Sequence, residues 1–210
     1  MKNPKIALIG ATGKAGKYIL SKLLERNYQV KLLLRNPENF QIQNPLIKII
    51  KGDARDYDSI EKLVENCDLV ISTLGQPKGE KTIFSDATSN IIKAFCNKKG
   101  RYILITGLSV NSPFDSKNES VIAATKWMHE NYQETTSDKQ KEYEILSKSN
   151  LDWTVLRLPL IVQTDVISKI GASIEDCKGR SVSASSLAEF ISNEIENEEY
   201  IRKSPFVFDI

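Results

Sequence analysis

The chain has 210 residues, 40% of them hydrophobic and 27% charged, a balance that excludes disordered and collagen-like classes. Its 29 Lys+Arg against 27 Asp+Glu leave a formal charge of +2, so there is no electrostatic case for nucleic acid as the main partner. A chain of this length fits a single domain over residues 1–210 and buries about 70% of its unfolded surface, enough to fold without a disulfide or metal. Cys67, Cys96 and Cys177 are far apart and form no CxxC pair, which reads as three reduced thiols in a cytoplasmic protein. The single histidine, His129, excludes a two-His metal centre, and no metal is expected. The apolar run Ile6 to Gly10 is too short for a signal core or a membrane span, and no membrane partner is expected.

Ile6–Ile9 reads as a buried strand and Lys14–Arg26 as a helix, with Ala15, Ile19, Leu20, Leu23 and Leu24 at helical spacing. Gln29–Leu34 is strand-like, Ile47–Ile50 a short apolar run, and Ser59–Asn66 a helix. Leu69–Ser72, Ser85–Lys98 and Tyr102–Ile105 continue the alternation as strand, helix and strand. Ser112–Ser120 is a polar loop, followed by helices at Val121–Tyr132 and Asp138–Lys148 and a strand at Leu151–Leu156. Val166–Lys178 is ambiguous; Ser186–Glu196 is a late helix capped by Ser185 or Ser186, and Phe206–Phe208 a final strand. Strand–helix alternation with near-continuous apolar strands predicts an α/β fold, a doubly wound parallel sheet of the Rossmann type.

The strongest motif is Gly10-Ala11-Thr12-Gly13-Lys14-Ala15-Gly16, which leaves the first strand and opens the first helix. Glycines there permit the tight turn and let a pyrophosphate approach the backbone, while the helix start offers N–H groups and a positive dipole end. Thr12 adds a hydroxyl donor. The second strand ends in Arg35-Asn36-Pro37, with Arg35 19 residues after Gly16. A guanidinium at that place suits a 2′-phosphate, where an acid would hold a free 2′-hydroxyl, so NADP(H) is preferred over NAD(H). Lys14 supports one of these phosphates or is a plain surface charge. Asp53 either accepts from the adenine amino group, with Ala54 against the ring, or caps the helix that begins near Asp56 or Ser59. Thr73, Leu74 and Gly75 follow the fourth strand and leave room for a cofactor across the strand ends.

These segments, with Ile105-Thr106-Gly107-x-Ser109-Val110 and Leu151-Asp152-Trp153-Thr154-Val155-Leu156-Arg157-x-Pro159, resemble the atypical short-chain dehydrogenases/reductases of the NAD(P)H-binding group. That group includes biliverdin reductase B/flavin reductase-like and NmrA-like proteins, and the likeness spans about residues 5–160. The resemblance implies that Ser109 lies near the nicotinamide, although the same serine could simply cap its loop. It also implies a Tyr-x-x-x-Lys pair. The lysine falls at Lys139, but the tyrosine position holds Thr135, whose hydroxyl is too weakly acidic for the family's role. Tyr132 and Tyr143 lie one helical turn from those positions without the family spacing.

A site without that acid suits an acceptor that needs none from the protein, such as a flavin or quinone. Phe114, Trp127, Met128 and Tyr132 are suited to stack on such an acceptor, or to pack in the core. The substrate cleft is expected from about 111–137 and 160–185. The leading expectation is an NADPH-dependent reductase of a small planar molecule; the other is a non-catalytic dinucleotide sensor of the NmrA-like kind. A monomer or homodimer is expected.

Overall fold

The computed structural model describes residues 4–95 and 99–210; Cys96 and the expected helix end at Lys98 lie outside them. Ten strands and six helices are described: β1 (Ile6–Ile9), α1 (Gly16–Glu25), β2 (Val30–Leu34), β3 (Ile47–Lys51), α2 (Tyr57–Val64), β4 (Leu69–Ser72), α3 (Phe84–Ala94), β5 (Arg101–Gly107), α4 (Glu119–Asn131), α5 (Gln133–Ser147), β6 (Asp152–Leu158), β7 (Leu160–Val162), β8 (Ile170–Ser173), β9 (Ser181–Ser183), α6 (Ala184–Asn197) and β10 (Phe206–Asp209). Eight strands form one sheet in the order β3-β2-β1-β4-β5-β6-β10-β8; β7 and β9 form a separate parallel pair. Every pair in the large sheet is parallel except β10 with β8. The 3-2-1-4-5-6 order is the doubly wound Rossmann arrangement, and the order in which strands are added reverses between β1 and β4.

The apolar runs explain why the sheet is covered on both faces. In β1 and β4 every residue is buried. Alternate residues point to opposite faces, so Ile6 and Leu8 enter one core and Ala7 and Ile9 the other. The first core is closed by α1 and α6, which pack together through Ile19, Leu20, Leu23, Leu187 and Ile191. The second is closed by α2, α3 and α5, with Ile60, Leu63, Phe84, Ile91 and Leu146. The apolar positions of α1 and α2 recur at three- and four-residue spacing, which is why these segments bury one face as helices.

Several local expectations are corrected. Helix α6 is capped by Ser183, whose Oγ accepts from Ser186 N at 3.3 Å. The two serines expected to cap it instead hold the chain before it: Ser186 Oγ accepts from Ser168 N at 2.8 Å, and Ser185 Oγ donates to Thr164 O at 2.9 Å. Asp56 caps α2 by accepting from Ser59 N at 3.0 Å, so Asp53 is not that cap. Helix α5 starts five residues before Asp138, because α4 breaks only at Tyr132 and the chain re-enters a helix at once. The strands β7, β8 and β9 fall where the sequence reading assigned none.

One residue ties the later elements together. Arg157, on β6, is fully buried, and its guanidinium is satisfied in every direction. Nε donates to Ser204 O at 2.8 Å, Nη2 to Ile174 O at 3.0 Å, and Nη1 to Val110 O at 3.2 Å and Asp115 Oδ1 at 2.5 Å. Its Cζ lies 3.6 Å from the centre of the Phe206 ring. Lys117 Nζ completes the cluster, donating to Leu108 O, Val110 O and Asn111 Oδ1 and lying 3.4 Å from Asp115 Oδ2. The polar loop after β5 is thereby fastened to the sheet by charge. Arg157→Met is expected to lower stability by about 3–5 kcal/mol, since Asp115 loses the closer of its two buried cations and the carbonyls of Val110, Ile174 and Ser204 lose their donor. Urea denaturation measures this, and a loss under about 1 kcal/mol would mean that the loop does not depend on the guanidinium.

Candidate functional site

At the switch between β1 and β4, a cleft of about 500 Å³ opens over the C-terminal ends of β1, β2, β3 and β4. Its floor is the glycine turn. Gly10 has φ +82°, and a Cβ there would lie 2.6 Å from Thr73 Oγ1, so both backbone and space require glycine. Thr73 Oγ1 lies 3.1 Å from Ile9 O and 2.9 Å from Gly10 O, tying the end of β4 to the turn. At Gly16 a Cβ would meet Gly10 O at 2.0 Å, so the start of α1 packs directly on the turn. Helix α1 has no side-chain N-cap and no acidic residue in its first turn. Within its first turn the Lys17 and Tyr18 N–H groups turn to the carbonyls of Gly13 and Ala15, and the positive dipole end faces the glycine turn.

The structure brings Gly10, Thr12, Gly13, Arg35, Ala54, Thr73, Leu74 and Gly75 to the lining of this one cleft. Lys14 is exposed beside the turn, while Ala15 and Gly16 are buried behind it. The sequence reading missed Asn39, Phe40, Gln76, Pro77 and Ile83, which also line the cleft. Pro37 was the available signal for the first two: it opens a short 3-10 turn, Pro37–Asn39, that folds the chain back beside Arg35.

Charge concentrates at the Arg35 end. Arg35 Nη1 donates to Glu80 Oε1 at 2.8 Å, and Arg55 Nη1 donates to Glu80 Oε2 at 3.1 Å. The Arg35 hydrogen bond is the largest cause holding the Glu80 carboxyl below its usual range. Asp53 accepts from Arg55 N at 2.8 Å and from Arg55 Nη1 at 3.3 Å. Both its oxygens are thus engaged with Arg55, which an adenine amino group would have to share.

Ser109 follows β5 and is buried, 3.7 Å from where a Gly107 Cβ would stand. It sits on the loop that Arg157 and Lys117 fasten, outside the cleft lining. Lys139 lies on α5 with Nζ 4.8 Å from the centre of the Phe84 ring. One residue earlier, Asp138 Oδ2 accepts from Phe84 N at 3.0 Å and Ser85 N at 3.4 Å, docking α5 on the start of α3 beside Ile83. Burial pushes the Lys139 ammonium down in pKa, and Glu142 opposes that shift.

Glu142 is a feature the sequence reading did not single out. It lies one turn beyond Lys139 and is only 1% exposed. Thr88 Oγ1 donates to its Oε1 at 2.9 Å; because Thr88 has one proton, Tyr102 Oη donates to Thr88 across a further 2.9 Å. Glu142 Oε2 is buried without a hydrogen-bond partner among the described residues. Burial raises its carboxyl pKa to about 7, against the opposing pull of Thr88 and Lys139.

The aromatic residues divide. Tyr143 is buried edge-on to Trp153, with centroids 6.1 Å apart, so it belongs to the core and cannot stand in for the missing acid. Phe114, Trp127 and Tyr132 are 60%, 53% and 51% exposed, and the last two meet edge to face at 5.7 Å. Core packing does not explain these three. Among the described residues no helix is long and apolar enough to cross a membrane, and no group of His, Cys, Asp or Glu is placed to hold a metal.

A family model described as NAD(P)H-binding matches residues 10–198. The uncharacterized protein YwnB of Bacillus subtilis (strain 168) is 24% identical over 153 residues, covering 72% of this chain and 70% of that protein. Cinnamoyl-CoA reductase 1 of Arabidopsis thaliana is 23% identical over 193 residues; the match takes in 80% of this chain but 56% of that longer protein. Among solved structures, a short-chain dehydrogenase/reductase of Veillonella parvula DSM 2008 in complex with NADP superposes with a TM-score of 0.81 at 18% identity, covering 98% of this chain and 94% of that one. ChuY, an anaerobillin reductase from Escherichia coli O157:H7, superposes with a TM-score of 0.74 at 20% identity, covering 98% and 97%. The two superpositions establish a shared Rossmann fold.

The Glu142 network has a stability consequence whose sign is fixed. Folded Glu142 keeps its proton up to about pH 7, while the unfolded carboxyl releases it near 4.5. The folded state therefore binds more protons in that window, and stability falls as pH rises through it. Glu142→Gln is expected to abolish this slope and to gain about 1–3 kcal/mol over the native chain at pH ~8 relative to pH ~5. Urea denaturation of both proteins across that range checks it; parallel curves would show that Glu142 ionises normally in the fold.

Proposed function

We propose, from the premise that the chain belongs to the NAD(P)H-binding family, that it is an NADPH-dependent oxidoreductase passing hydride to a small planar acceptor of the flavin or quinone type. The observation that carries the cofactor half is the single cleft joining the uncapped start of α1 to Arg35. The residues present fit a dinucleotide: Gly10, Thr12 and Gly13 would take the pyrophosphate, Ala54 the adenine, and Thr73, Leu74 and Gly75 the path across the sheet. Arg35 would take a 2′-phosphate, which favours NADP(H) over NAD(H). The complex of the Veillonella neighbour with NADP agrees with this choice.

Bound there, the dinucleotide supplies a hydride from its nicotinamide ring. The chain's own part is to hold and shield. Ser109, on the fastened loop, would offer a hydroxyl to the nicotinamide amide or an acceptor carbonyl, and Lys139 would supply the cation on the α5 side. The acceptor half rests on Thr135 standing where a tyrosine acid would be needed, and on exposed Phe114, Trp127 and Tyr132, which can stack on a flat ring. Two similar proteins, a cinnamoyl-CoA reductase and an anaerobillin reductase, are consistent with reduction as the general chemistry.

Purified protein is expected to bind NADPH tightly in a calorimetric titration and to oxidise it steadily with FMN or menadione. Tight binding with no turnover on any such acceptor would move the reading to a dinucleotide sensor; no binding of NADPH or NADH would overturn the site itself. Arg35→Ala is expected to weaken NADPH by roughly 1.5–3 kcal/mol while leaving NADH nearly unchanged, the range for one charge-assisted contact. Equal losses for both cofactors would remove the 2′-phosphate assignment.

A further inference from the structure

The Arg35 end of the cleft already holds an anion of the protein's own. Glu80 lies in the segment between β4 and α3 and reaches back to bridge two guanidinium groups, one following β2 and the other following β3. One carboxylate oxygen serves each arginine, at 2.8 and 3.1 Å. This is the hydrogen-bonding pattern that a phosphate monoester would present to the same two side chains. We propose that Arg55 is a second ligand for the 2′-phosphate of NADP(H), and that Glu80 is the internal anion which that phosphate displaces. The proposal rests on the NADP(H) reading above and adds to it a residue that discriminates by competition.

Three features support displacement over permanent pairing. The Arg35 and Glu80 side chains are 50% and 43% exposed, and ion pairs so exposed hold weakly. Arg55 has a carboxylate partner outside the segment that carries Glu80. Its Nη1 also reaches Asp53 Oδ2 at 3.3 Å, and Arg55 N donates to Asp53 Oδ1 at 2.8 Å, so the side chain keeps this tie to its own loop when Glu80 leaves. The segment that carries Glu80 has room to change: Gly79 adopts φ +73° with nothing within 4 Å of an added Cβ, and Gly75 is equally open.

Charge gives the exchange its selectivity. Arg35 and Arg55 carry two positive charges against the carboxylates of Asp53 and Glu80. A 2′-phosphate that takes the place of Glu80 restores the lost negative charge and offers more acceptor oxygens. A free 2′-hydroxyl brings no charge and leaves both arginines in need of Glu80. Adenosine nucleotides with and without the phosphate should therefore see Glu80 differently. The hydrogen bonds from Gln76 Nε2 to Pro77 O at 3.1 Å and Glu80 O at 2.8 Å keep the segment compact, so its carboxylate remains a nearby competitor.

The test uses the full chain, calorimetric titration, and two probes, adenosine 2′,5′-bisphosphate and 5′-AMP. Glu80→Gln removes the charge and keeps the size; it is expected to tighten the bisphosphate about tenfold and to leave 5′-AMP within about twofold. Arg55→Gln is expected to weaken the bisphosphate about tenfold or more with little effect on 5′-AMP, and a thermal melt confirms that it is folded. Arg35→Ala, run alongside, separates the two levels of inference. If it costs the bisphosphate selectively while Glu80→Gln changes neither probe, displacement is overturned and the 2′-phosphate reading stands. If Arg35→Ala acts on both probes alike, the phosphate site itself is lost. A Glu80→Gln protein that binds 5′-AMP more weakly would make Glu80 a ribose ligand, which also overturns the proposal.

Discussion

A Cβ on Gly10 would come within 2.6 Å of Thr73 Oγ1, and one on Gly16 within 2.0 Å of the Gly10 carbonyl oxygen. These two close approaches bring the end of β4, the turn after β1 and the start of α1 to one point. The sheet order then places that point where neighbouring crossovers part to opposite faces. The cleft opens at this meeting, over the ends of β1 to β4. A larger residue at either glycine would push α1 away from the sheet and remove the proposed pyrophosphate site with it.

Two arrangements of arginine and carboxylate serve different ends in this fold. Arg157 and Asp115 are a buried pair with backbone carbonyls taking the remaining guanidinium donors. Such a pair is costly to break, and it fixes the loop carrying Ser109 in one place. Arg35, Arg55 and Glu80 are a surface cluster in which each partner retains access to water. Their pairing is cheap to exchange. The nicotinamide side of the proposed site is thus made rigid by burial, while the adenosine side is left adjustable.

The legible part of the fold is the part written in periodicity. Strands β1, β2 and β4 are apolar throughout or nearly so, and helices α1, α2 and α3 show one buried face, so their order and type follow from the sequence alone. What was not legible has short elements and non-local partners. Strand β8 reads Ile-Gly-Ala-Ser, with every residue half-buried, and becomes a strand only because Phe206–Asp209 lies antiparallel beside it. Ser183, Ser185 and Ser186 are chemically alike, and only the fold decides that Ser183 caps α6 while the others hold the segment at 164–168. The glycine turn and Arg35 were visible because strand, turn and helix are contiguous in sequence. Glu80 and Glu142 were not, since their partners lie 45 and 54 residues away along the chain.

The absence of a tyrosine at position 135 gains meaning from what surrounds Lys139. Tyr143 is locked in the core, and Tyr132 lies at the break between α4 and α5 with its ring against Trp127. Neither phenol occupies position 135, where the resemblance expects the proton donor. The carboxyl that is held near the lysine, Glu142, is turned inward to Thr88 and Tyr102 and sealed from water. Burial raises the Glu142 pKa and lowers that of Lys139, so the low-dielectric site disfavours the charged form of both. A carbonyl oxygen that accumulates charge during hydride transfer would find no phenol at position 135 of the proposed site. A conjugated ring that spreads the incoming electron pair over several atoms depends far less on one, and this electronic difference is the physical ground for expecting a flat acceptor.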